Sequence, residues 1–189
     1  MSRVGYHHGD LRASLLASAL ELVEASGTEQ LSLRAVARKA GVSPNAPYNH
    51  YADKAALLAA LAVHSLEQVK ESMIAAATTA AHGDEIVAIT VAAVRYALAH
   101  PGLYRLTVAH MCGDDPQVRA AEEAVRAVVA GSVAITTGGA AADALCAGVW
   151  ALAQGLTLLL VDGSVKPAPH QTVDDFVRAT VQATLTAGR

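Results

Sequence analysis

Every interruption of the apolar pattern in this 189-residue chain falls on a cluster containing glycine, proline or aspartate. No stretch between interruptions alternates with the period of a strand. Leu11, Leu15, Ala19, Leu22 and Val23 recur at helical spacing behind Asp10, which can cap them, and Ser26-Gly27 ends the run. Ser32 starts a second helix with Leu33, Val36, Ala37 and Ala40 on one face. Gly41 stops it, because glycine takes up the left-handed conformation past a helix end without a Cβ clash. Ser43-Pro44 predicts a short third helix, with a capping hydroxyl and a proline at the first helical position, that gives out near Tyr51-Ala52. Asp53 caps the next helix, which runs unbroken towards Thr79, and five more are expected near 84–99, 101–110, 115–136, 140–162 and 171–187. The fold class is therefore all-α, with about nine helices. Composition agrees: at 53% apolar, 16% charged and 4% aromatic the chain is too hydrophobic for disorder and too poor in β-branched and aromatic alternation for a β-sandwich.

Charge is unevenly placed. The net charge of −3 argues at first against a nucleic-acid partner, yet residues 1–54 carry six Lys/Arg against five carboxylates, and the remainder eight against twelve. Met1–Asp10 is polar and holds two histidines, unlike a secretory leader, and the two cysteines, Cys112 and Cys146, form no CxxC spacing. A cytoplasmic protein with reduced thiols is expected. Between Asp143 and Asp162 eighteen residues pass without a charge, a length that can just span a bilayer. Gly148, Gln154, Gly155 and Thr157, with acidic rather than basic flanks, favour a buried central helix and no membrane.

Residues 32–51 carry the most specific signal. Two short helices meet across Gly41-Val42, the length and turn chemistry of a helix-turn-helix. Ala37 and Ala40 keep the first helix thin enough for the second to cross it, and Asn45, Tyr48 and Asn49 give the second a dense set of donors and acceptors. In the major groove an Asn can pair bidentately with adenine, while Tyr and His reach phosphate or thymine methyls. Ser43 opens the reading helix, Lys54 can meet a phosphate, and Ser32 and Arg34 open the supporting helix towards the DNA backbone. The DNA-binding set read here is Ser32, Arg34, Ser43, Asn45, Tyr48, Asn49, His50 and Lys54.

The stretch Leu31–Leu58, LSLRAVARKAGVSPNAPYNHYADKAALL, resembles the DNA-binding signature of the TetR family. Tyr48, His50 and Lys54 match that family's DNA contacts, Ser32 its backbone-contacting helix start, and Tyr51 the aromatic that anchors the recognition helix to the first helix. Pro47 departs from the pattern, which usually has an apolar residue such as Leu; a proline there loses a hydrogen bond to Ser43. Tyr6-His7-His8-Gly9-Asp10-Leu11-Arg12 resembles the leader of one subgroup. Trp150-Ala151-Leu152-Ala153-Gln154-Gly155 resembles that subgroup's C-terminal Trp…His-Gly signature, with Gln154 in place of the His.

The resemblance implies a helix-turn-helix DNA-binding domain over 1–54 and a helical ligand-binding and dimerisation domain over 55–189. It implies double-stranded operator DNA, a small-molecule effector and a second copy of the chain as partners. The dimer is expected to use about 140–162 and 171–187, where Val173, Phe176, Val177, Thr180, Val181 and Leu185 form an apolar stripe. Tyr96, Tyr104, His110, Met111, Trp150 and Gln154 are the candidate ligand-lining residues, a few polar tips in an aliphatic bundle. No GxSxG elbow, HExxH helix, phosphate-cradling loop or dinucleotide fingerprint is present, so no enzyme activity, catalytic residue, metal or cofactor is expected. The rival reading is a helical protein–protein adaptor in which residues 32–54 dock a protein.

Overall fold

Short capping side chains and glycine stops set where the helices begin and end. A computed structural model describes residues 11–111, 113–139 and 143–187, and among these it contains eight α-helices, one 3-10 helix and no strand. The elements are α1 (Leu11–Ser26), α2 (Leu33–Lys39), the 3-10 helix (Ala46–Asn49), α3 (Lys54–Thr79), α4 (Glu85–Ala99), α5 (Pro101–His110), α6 (Pro116–Thr137), α7 (Asp143–Val161) and α8 (Val173–Ala187). Each expected helix is found, the short third one as a 3-10 turn. The proposed cap at Asp10, the cysteine at Cys112 and the start of the 140–162 helix lie outside the described residues.

The chain forms two compact units, each made of two segments. One holds the described part of Met1–Ser65 together with Gly102–Val118; the other holds Leu66–Pro101 and Arg119–Arg189. In the first unit Leu15, Ala19 and Val23 of α1, Leu33, Val36 and Ala37 of α2, Leu57 and Leu61 of α3, and Leu103 and Leu106 of α5 are all buried. Fully burying a leucine contributes roughly 1.5–3 kcal/mol, so this short domain is held chiefly by that shared core.

Besides the burial of Leu103 and Leu106, a carboxylate fastens α5 to the first unit. Glu24, near the end of α1, accepts hydrogen bonds from the Gly102 and Leu103 amides, each at 3.0 Å. These are first-turn N–H groups with no intrahelical partner, and a negative charge there also complements the helix dipole. Pro101 occupies the first helical position, where its missing N–H costs nothing. The approach is close enough to require glycine: a Cβ on Gly102 would lie 2.8 Å from the Val23 carbonyl oxygen.

In the second unit α4 packs against both α7 and α8. Ile86, Ile89 and Val94 of α4, Val125, Val129 and Val133 of α6, Val149, Leu156 and Leu160 of α7, and Val177 and Val181 of α8 form its core. Glu85 is buried at the start of α4 and accepts from the Gly83 amide and the Thr136 hydroxyl, both at 2.9 Å, which ties α4 to α6. Its own backbone amide, aided by Thr136 and Gly83, holds the carboxyl below the usual range against the opposing effect of burial. Arg95 of α4 pairs with Asp174 of α8 through two hydrogen bonds.

One sequence expectation changes here. Periodicity and resemblance assign the stripe along 173–185 to a partner chain, but Val177 and Val181 have no exposed surface and belong to the core of their own unit. The residues of α8 left open include Asp175, Arg178 and Gln182 as well as Ala179, Ala183 and Thr186.

Gly102→Ala is expected to destabilise the protein by ~1–2 kcal/mol, because the overlap is with a backbone oxygen that cannot rotate away and outweighs the helix propensity of alanine. A thermal melt followed by circular dichroism checks this; an unchanged or higher Tm would show that α1 and α5 can separate freely.

Candidate functional site

The reading segment is not the α-helix that Ser43-Pro44 predicts. Proline has no N–H, so an α-helical bond from residue 47 to the Ser43 carbonyl cannot form. The Ser43 carbonyl instead accepts from the Ala46 amide at 3.0 Å, and Tyr48 donates to Asn45 at 3.2 Å, both bonds three residues long. The helix is accordingly a 3-10 turn over Ala46–Asn49 that begins at Asn45, whose side chain makes no capping bond. Residues three apart line up in such a turn, which places Asn45 and Tyr48 along one edge.

Two buried rings hold this turn in place. Pro47 is buried and its carbonyl accepts from both His50 and Tyr51 at 2.9 Å, which closes the segment. Tyr51 is 3% exposed, and its hydroxyl is buried without a well-formed hydrogen bond among the described residues. Burial pushes the phenol above its ordinary value, and the Arg12 guanidinium of α1 pulls it back in part. Against this floor Ser43, Asn45, Asn49 and His50 are exposed, and Tyr48 is half exposed at 50%, a large ring turned towards solvent.

The supporting helix is equally well determined. The Ser32 hydroxyl caps α2 by accepting from the Ala35 amide at 3.1 Å. At its other end Val42 donates to Ala37 and Gly41 to Arg38, with Gly41 at φ +69°, a paired closure that fixes the turn into the reading segment. Arg34 and Arg38 are exposed on α2, and Lys39 pairs with Glu21 of α1 at 2.6 Å. Asp53 caps α3 through the Ala56 amide at 2.8 Å. Lys54 is half-buried, with Nζ donating to the Glu29 carbonyl at 3.2 Å; an ammonium has three donors, so a phosphate can still be met. All eight residues of the expected DNA-binding set thus fall in the first unit.

The six candidate ligand residues are divided between the two units. Tyr104, His110 and Met111 belong to the first unit, and Tyr96, Trp150 and Gln154 to the second. His110 points Nδ1 at the Leu106 carbonyl of its own helix at 2.9 Å, and Tyr96 packs against His100 with ring centroids 4.8 Å apart. Trp150 alone among them lines a cavity of about 420 Å³ between α6 and α7. That cavity also takes in Arg126, Val129 and Ala130 from α6 and Cys146 and Ala147 from α7. Arg126 lies 4.3 Å from the centre of the Trp150 ring and is held by Glu122 at 2.7 and 3.1 Å. Sequence reasoning missed Arg126, Cys146 and Glu24. The Glu122/Arg126 spacing was a legible helical pair, but nothing in the order of residues set it opposite Trp150.

Comparison with known proteins places this geometry in a family. Residues 15–61 match the family of bacterial regulatory proteins described as the tetR family, and residues 86–184 match the tetracyclin repressor-like C-terminal domain. No curated protein gives a significant match. Among solved structures, a protein of unknown function from a Rhodococcus species is 32% identical over 98% of both chains, with a TM-score of 0.84. The TetR-family regulator PfmR from Thermus thermophilus is 16% identical, with 91% of this chain and 97% of that one covered and a TM-score of 0.66. The regulator FadR from Bacillus subtilis, solved with stearoyl-CoA, is 13% identical, with 94% and 99% covered and a TM-score of 0.72. The last two show the fold alone. The chain belongs to the TetR family of transcriptional regulators, whose members bind DNA through the helix-turn-helix and respond to ligands.

Tyr51→Phe removes a buried hydroxyl that has no well-formed hydrogen bond among the described residues, although the Arg12 guanidinium is near, while keeping the ring that anchors the turn. Its Tm is expected to equal or exceed that of the unmodified protein. A fall of several degrees in a thermal melt would mean that the hydroxyl is bonded after all.

Proposed function

We propose that this protein is a cytoplasmic, ligand-responsive repressor that reads a pseudo-palindromic operator as a homodimer and leaves it when a small, largely apolar effector binds. Residues 1–54 read the DNA, and 55–189 sense the effector and dimerise. The observation that carries the reading is the exposed set Asn45, Tyr48 and Asn49 raised on a turn whose floor, Pro47 and Tyr51, is buried. An exposed aromatic and two amides on a helix this short add nothing to its packing, and their chemistry suits base edges. Ser32, Arg34, Ser43, His50 and Lys54 then position the protein on phosphate.

Support for the dimer comes from α7. Its mean hydropathy is 1.9 over an eighteen-residue window, yet only 22% of that window is buried. The open side carries Gly148, Ala151 and Gly155, which permit close approach, and then Leu158 and Leu159, 45% and 42% exposed. A helix so apolar needs cover, and a second copy supplies a self-complementary face without any membrane. A dimer that reads a pseudo-palindromic operator places its two reading turns in successive major grooves, about 34–36 Å apart.

Release requires the sensing part to favour a conformation that the DNA does not. The long helix α3 starts at the reading turn and serves as the lever, and α5, held to α1 by Glu24, is a second route. Both routes enter the first unit by covalent continuation of the chain.

Fluorescence anisotropy with labelled DNA from upstream of the protein's own gene tests the reading. Binding is expected to resist scrambled competitor and to weaken steeply with salt. Tyr48→Ala is expected to lose ~1–3 kcal/mol of operator affinity with its melt unchanged. Binding that ignores sequence, or a Tyr48→Ala variant with full affinity, would turn the assignment towards an adaptor that docks a protein.

A further inference from the structure

The cavity between α6 and α7 carries a chemistry that the family membership does not specify. Its walls are small and aliphatic: Val129 and Ala130 on one side, Ala147 and the free thiol Cys146 on the other. Its volume of about 420 Å³ lies in the range of small-molecule sites. Into this apolar space the protein brings a cation. Arg126, its side chain half exposed, pairs with the largely covered Glu122 and lies over the Trp150 ring, two contacts that favour one position for it.

The pairing uses only part of the guanidinium. Nε and one terminal nitrogen donate to a single oxygen of Glu122, and the other terminal nitrogen has no protein partner among the described residues. A guanidinium edge presented beside an apolar wall suits a carboxylate. The negative charges present set a limit on the ligand. Asp143, exposed in the first turn of α7, lines the same cavity, and Glu122 stands behind Arg126. One added negative charge meets one cation, whereas a second meets carboxylates. An amine is disfavoured because Arg126 already occupies the face of the indole where a cation would settle.

We infer that this cavity binds an organic monocarboxylate, with its apolar body between Val129, Ala130 and Ala147 and its carboxylate on the open edge of Arg126. The inference rests on the effector-sensing role proposed for the second unit and names the ligand class that this site takes.

Trp150 is the only tryptophan in the chain, so its emission reports this cavity alone. The full-length protein is titrated with octanoate, octanamide, octylamine and octanedioate, four probes that share an eight-carbon body. Octanoate is expected to change the emission saturably and to bind at least ~10-fold more tightly than the other three. Arg126→Gln reduces octanoate to the level of the amide, Arg126→Lys keeps a preference for the acid, and Ala130→Leu, which fills the cavity, weakens all four. Melting curves of each variant verify the fold. Equal binding of acid and amide, preference for the amine or the diacid, an Arg126→Gln variant that binds octanoate undiminished, or no saturable response to octanoate each overturns the inference.

Operator anisotropy in the same samples separates this from the regulatory reading. Octanoate that binds in the cavity but leaves operator affinity unchanged upholds the ligand assignment and contradicts effector release. Release by octanamide as readily as by octanoate, in both the unmodified protein and Arg126→Gln, upholds a regulator and overturns the cavity chemistry.

Discussion

The Glu24 carboxylate ties the start of α5 to the end of α1. Its two bonds to the Gly102 and Leu103 amides fasten α5, a segment that by chain order belongs to the sensing half, to the unit that carries the reading turn. The contact combines a charge, two otherwise unsatisfied donors and a backbone approach that only glycine allows. Because α4 ends at Ala99 and α5 begins at Pro101, any shift of α4 must be absorbed at His100 or passed on to α5.

The reading turn depends on burial in the same way. Seven-residue α2 and a four-residue 3-10 helix are too short to be stable alone. They persist because Leu33, Val36, Ala37, Pro47 and Tyr51 are buried against neighbours, which leaves the polar residues between them free to face a ligand. The second unit carries the opposite imbalance: α7 has more apolar surface than its own chain covers. Function is thus proposed at the two places where the fold leaves chemistry unused, an exposed polar edge at one and an uncovered apolar face at the other.

Most of the helical pattern was legible from residue order because its punctuation is local. Ser32 and Asp53 cap within three residues, and Gly41 closes within four, so sequence alone contains the whole interaction. The family signature over Leu31–Leu58 was legible for the same reason. The form of the reading helix was harder: Pro47 announced the lost bond, but that the segment would shift to three-residue bonds starting at Asn45 depends on the Ser43 carbonyl finding another donor. The apolar stripe of 173–185 was real, but periodicity does not say which neighbour covers it, and Val177 and Val181 are covered within their own unit. The pairings of Glu24 with α5 and of Arg126 with Trp150 span 78 and 24 positions, and no local rule reaches that far.

The central claim is that two copies of the exposed set Asn45, Tyr48 and Asn49 read DNA symmetrically. The direct measurement is selection of bound sequences from a random double-stranded library by the purified protein, followed by sequencing of the retained pool. The account predicts enrichment of an inverted repeat whose half-sites are centred about one helical turn, ~10 base pairs, apart. A pool with no enriched motif, or one enriched only in a solitary half-site, would contradict it.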